Sequence, residues 1–145
     1  MVSLNIKILL AILLLPALTR TISAQERPID QNNVVWNSPS KNAAGSMPCG
    51  GGDVGLNVWV EDGDLLFYIA RSGTFDENNS FLKLGRVRLT LSPNPWTKDR
   101  FRQELTLRDG GIKFNSGSTE ARIWVDVMRP VIHISINGRQ ALNAK

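Results

Sequence analysis

Cysteine is almost missing from this chain: Cys49 is the single one among 145 residues, so no disulfide can close within it and packing has to hold the fold. Histidine is as scarce. His133 has no second imidazole or thiol at ligand spacing, which removes the usual zinc sets, and no serine occupies a Gly-x-Ser-x-Gly elbow. A strong charge of one sign is also lacking. The 17 basic residues include Lys7 and Arg20 near the start; without those two, 15 face 13 acids, a net +2, and no Lys/Arg cluster suggests a nucleic-acid partner. Nor is any apolar run long enough to span a bilayer comfortably or periodic enough to make a long amphipathic helix.

What is there begins with an export pattern. Lys7 precedes an apolar stretch from Ile8 to Leu18, broken only by Pro16, and Thr19 to Ala24 then offers cleavage after Ala24, with Ile22 three positions before the bond. Residues 1–24 therefore read as a signal peptide. The mature chain is expected to be secreted or periplasmic, with no membrane contact after cleavage. Gln25 to Asn33 is a polar leader, and residues 34–145 are enough for one domain with a core of its own.

Within that domain, short runs rich in Val, Ile, Leu, Phe and Trp are divided by glycine, proline and aspartate every eight to twelve residues or so, the mark of an all-β chain. Glu61-Asp62-Gly63-Asp64 joins a strand at Val54–Val60 to one at Asp64–Ala70. Asp109-Gly110 joins Phe101–Leu107 to Gly111–Asn115, and Ser116-Gly117-Ser118 leads on to Ala121–Val127. Arg86–Leu91 and Val131–Ile136 each alternate one apolar face with one polar face. Seven or so antiparallel strands with one oily face each imply an antiparallel β-sandwich. Ala141–Lys145 shows no closing strand, so the sandwich is expected to be incomplete at that end.

The acids gather at Asp53, Glu61, Asp62, Asp64, Asp76 and Glu77. Glu61-Asp62-Gly63-Asp64 lacks the longer ligand series and distant Glu of a calcium loop, so it reads as a hairpin turn and no metal site is expected. Asp76-Glu77 falls in a loop from Arg71 to Ser80. Gly50-Gly51-Gly52 has no Gly-Lys-Ser/Thr after it and no helix behind it, so it reads as a turn before a strand, with Gly50, Gly52 and Gly55 admitting a tight backbone path. Trp59, Trp96 and Trp124 are the candidates for sugar contact, because an exposed indole stacks on a pyranose face; core packing is the competing role for each.

The stretch Ser46-Met47-Pro48-Cys49-Gly50-Gly51-Gly52-Asp53-Val54-Gly55-Leu56-Asn57-Val58-Trp59, with Asp64–Ile69, Asp76-Glu77-Asn78, Lys83–Arg88 and Pro93-Asn94-Pro95-Trp96, resembles the N-terminal domain of the bacterial family named domain of unknown function 5703. That resemblance implies an exported protein associated with glycoside hydrolysis. The Met-Pro-x-Gly-x-Gly-Asp-x-Gly pattern is also similar to the opening of the β-sandwich that precedes the (α/α)6 barrel in α-L-fucosidase-like enzymes. Cys49 and Gly51 stand where that pattern would carry leucine and asparagine. The architecture implied is a sandwich ahead of a helical barrel that holds the catalytic acids, and no residue of this chain inherits a catalytic role.

The function expected is thus a non-catalytic N-terminal sandwich domain, or fragment, of an exported glycoside hydrolase, with no cofactor. Its partner would be a glycan or a helical catalytic domain absent from this chain. The loops carrying Gly50, Gly52, Asp53, Asp76 and Glu77 would lie near the neighbouring active site. A free-standing carbohydrate-binding module and a structural protein-interaction domain are the alternatives, separated by whether the tryptophans form an exposed platform or a large apolar face is left bare.

Overall fold

A computed structural model describes residues 28–96, 100–139 and 141–145. The signal segment and the first part of the leader lie outside these residues. Two antiparallel five-stranded sheets pack face to face as an all-β sandwich. The strands are β1 (Val34–Trp36), β2 (Met47–Gly51), β3 (Val54–Glu61), β4 (Asp64–Phe75), β5 (Phe81–Ser92), β6 (Phe101–Thr106), β7 (Gly111–Ser116), β8 (Thr119–Val125), β9 (Ile132–Asn137) and β10 (Asn143–Ala144). The first sheet runs β1-β6-β7-β8-β9 and the second β10-β5-β4-β3-β2.

Alternation decides which side chains meet between the sheets, because successive residues of a strand point to opposite faces. Val54, Leu56, Val58 and Val60 of β3, with Leu65 and Phe67 of β4, pack against Phe101, Ile112, Phe114, Ala121, Ile123 and Val125 of the facing sheet. Gln103 is the most deeply buried of the polar residues Gln103, Thr106, Ser116 and Thr119. It is fully buried on β6, and its amide donates to the carbonyl of Val58 at 3.2 Å, a hydrogen bond from one sheet to the other.

Turn chemistry sets the registers. Asp62 and Gly63, at φ 51° and 86°, form the two-residue link of the β3–β4 hairpin, a pair of positive values that matches strand twist. Gly110 and Gly117 supply the positive φ at the ends of β7. The three hairpins expected from sequence form in these places.

Four expectations need correction. Gly50 and Gly51 belong to a strand, β2, paired with β3, and only Gly52-Asp53 makes the turn. Residues 71–75 are not loop: β4 continues to Phe75, so the loop shrinks to Asp76–Ser80. The C-terminal tail does supply an edge strand. β10 pairs with Leu91 and Ser92 of β5, and Lys145 exchanges both backbone hydrogen bonds with Thr90, 2.9 and 3.1 Å. Gly55 is not sterically required, since a Cβ there would meet nothing within 4 Å. The leader residues from Pro28 onward are exposed yet tied down. Asn33 donates to Glu104 and accepts from the Leu107 amide, both at 2.9 Å, and Asp30 pairs with Arg108 at 2.7 Å.

Candidate functional site

The glycine run sits at one end of the sandwich, where β2, the edge strand of the second sheet, comes up against the end of β8. A Cβ on Gly51 would stand 2.8 Å from the carbonyl oxygen of Val125, and one on Gly50 would stand 2.7 Å from that of Val54. Gly52 has φ +58°, which an L side chain rarely adopts, and lies beside the Val127 carbonyl. Close approach of backbone to backbone is therefore what the glycines serve. Asp53 follows, its carboxylate 2.7 Å from Nε of Arg71 and its carbonyl accepting from the Ser72 amide at 2.8 Å.

Beyond Arg71 the β4–β5 hairpin becomes an arm. Ile69 pairs with Gly85 but Ala70 pairs with Lys83, so Leu84 is an extra residue in β5, and a second register shift follows before Phe75 pairs with Phe81. Every residue from Phe81 to Arg88 is exposed. The apolar ones lie outside the core: Phe75 and Phe81, each 53% exposed, meet edge to face at 5.6 Å, while Leu82, Leu84 and Val87 stand along the strand. On the loop after β8, next to the glycine turn, Val127 and Met128 are 69% and 86% exposed. Several large apolar side chains left bare on one hairpin are what a folded domain presents to a partner.

At the tip of the arm, Asp76 folds the chain back by accepting from the amides of Asn78 and Ser80, at 2.9 and 2.7 Å. Asp53 is meanwhile tied to Arg71 at the root, so these two acids are separately engaged, and Glu77 lies exposed beside Asp76. Asp126, on the neighbouring loop, is held below the usual carboxylate range by its hydrogen bond from Arg129, helped by the Met128 amide. A carboxyl so held is a poor proton donor near neutral pH. Burial pushes the Cys49 thiol up to about 11, so it stays protonated and unreactive. Among the described residues no three His, Cys, Asp or Glu side chains converge.

The three tryptophans do not share a surface. Trp59 is 1% exposed on the outer face of β3, where it tilts against Tyr68 at 5.1 Å and donates to Glu61 at 2.7 Å, beside the turn at Ala43–Gly45. Trp96 is 5% exposed and packs edge-on to Phe101 within the core. Trp124 is half-buried on the outer face of the first sheet, with His133 stacked on it at 4.9 Å and the Arg122 guanidinium at the same distance. Neither Trp59 nor Trp96 offers a free ring face.

The apolar arm itself went unread in the sequence. A signal was available: Phe81-Leu82-Lys83-Leu84 places apolar residues at both parities, which a strand buried on one face cannot hide. No curated protein matches the chain in sequence. A family model does, over residues 35–145, and the chain accordingly belongs to the family described as domain of unknown function (DUF5703), as its N-terminal domain.

Proposed function

We propose that this sandwich is the non-catalytic front domain of an exported carbohydrate-active protein, and that it docks through its β4–β5 arm onto a helical catalytic domain. The observation that carries this reading is the exposure of Phe75, Phe81, Leu82, Leu84 and Val87 on the arm, with Val127 and Met128 exposed on the loop after β8. Fully covering an exposed large apolar side chain is worth roughly 1.5–3 kcal/mol, and about half of that remains for a partner to gain at each of the half-covered residues of the arm. The carbohydrate assignment rests on the sequence resemblance. Burial of Trp59 and Trp96 weighs against a free-standing sugar-binding platform.

Reconstitution tests the reading. The helical barrel of a longer family member, made as a separate chain, should bind this domain in a calorimeter, and a Phe75→Ser/Phe81→Ser/Leu84→Ser variant should lose that binding while keeping its thermal midpoint. Equal binding by both forms, or none by either, would remove the docking role.

A further inference from the structure

At the opposite end of the sandwich, the turn between β7 and β8 carries a cluster that docking does not use. Gly117, at φ +61°, lets the chain reverse between Ser116 and Ser118. Two adjoining hollows of about 230 and 530 Å³ open over this turn and share Arg100, Gly117, Ser118 and Thr119. The Arg100 guanidinium lies over the turn, with Nη1 3.7 Å from where a Cβ on Gly117 would stand. Arg139 lines the larger hollow, and neither arginine forms an ion pair among the described residues.

A second observation points into the same place. Ser116 lines the smaller hollow and is 4% exposed, yet its Oγ has no hydrogen-bond partner. An unpaired buried hydroxyl is costly. Ser116 Oγ is one of four unpaired buried polar atoms among the described residues, with Trp96 Nε1, Gln103 Oε1 and Arg122 Nε, and the one of them that lines either hollow. Among the described residues Glu120 is the only acid lining either hollow, and it is exposed. The Arg100 guanidinium with Ser118 and Thr119 at both hollows, joined by Ser116 in the smaller and by Arg139 in the larger, supplies donors with a net positive charge, the chemistry that recognises an oxyanion.

We propose that the β7–β8 turn, with Arg100 and Arg139, is a binding site for an oxyanion group (carboxylate, sulfate or phosphate) carried on a larger ligand. The site is independent of the docking arm, since it shares no residue with it.

The test uses protein purified from the periplasm after expression of the full chain, titrated with sodium acetate, sulfate and phosphate against sodium chloride at matched ionic strength. Amide shifts of Gly117–Glu120 should saturate with at least one of the three, with a Kd on the order of 1 mM, and the tightest identifies the oxyanion. Arg100→Gln or Arg139→Gln should weaken that binding by about tenfold or more, while Arg86→Gln on the arm leaves it unchanged. Shifts no different from those in chloride, or binding indifferent to both arginine changes, would overturn the site and leave Ser116 as a hydroxyl satisfied by water.

Discussion

Asp53 and Arg71 face each other at 2.7 Å and fasten the β2–β3 turn to the root of the β4–β5 arm. Both side chains are about half exposed, at 44% and 52%, so solvent screens the pair and its contribution to stability is under about 1 kcal/mol. Asp53→Asn should therefore move the thermal midpoint by only a few degrees. A collapse of the fold in that variant would mean that Asp53 has a larger role than this ion pair.

Gly52 and Gly55 should separate cleanly. At Gly52 a side chain must adopt a left-handed backbone beside the Val127 carbonyl, at a cost of about 1–2 kcal/mol. Gly52→Ala should lower the midpoint by about 5 °C or more, whereas Gly55→Ala, with open space around it, should change it by no more than ~2 °C. Equal effects in a melting experiment would place the constraint elsewhere in the loop.

The strands and turns were readable because each rests on local chemistry. Asp62-Gly63, Asp109-Gly110 and Ser116-Gly117 announce reversals, and of the alternating Ile132, Ile134 and Ile136 the first and last pack against the core while Ile134 stays 37% exposed. Strand β2 was hidden because Gly50 and Gly51 carry no side chain to show a period, and the pairing that makes them a strand comes from β3. The two-residue β10 is too short to show any pattern at all. For the site, sequence could propose Trp59 and Trp96 as sugar contacts but not their burial, which brings Trp59 against Tyr68 of the neighbouring strand and Trp96 against Phe101 and Phe114.

Acid should loosen the fold through Glu104 and Asp109. The Asn33 amide, then Arg102, hold Glu104 below its ordinary range, and the Thr106 hydroxyl, then Arg122, do so for Asp109. Folded values depressed below the unfolded ones mean stability that is fully present above about pH 4 and is lost as pH falls through the folded values. The midpoint should decline below about pH 4, and Asn33→Ala should flatten that decline. Parallel curves for the two proteins would exclude Glu104 from the acid transition.

Purified protein should hydrolyse no aryl glycoside, because Asp53, Asp76 and Asp126 are each tied up by hydrogen bonds from neighbouring arginines or amides. Two carboxyl groups facing each other across a cleft are what the reaction requires. Turnover abolished by Asp76→Asn or Glu77→Gln would falsify the non-catalytic assignment.

Whether the arm is a contact surface is tested most directly by light scattering across a concentration series on the isolated protein. Without a partner, Phe75, Phe81 and Leu84 remain bare, so the wild type should associate as concentration rises. The Phe75→Ser/Phe81→Ser/Leu84→Ser variant should stay monomeric with an unchanged melting midpoint. A wild-type protein that remains a monodisperse monomer throughout, melting cooperatively above about 65 °C, would contradict a docking role for the arm.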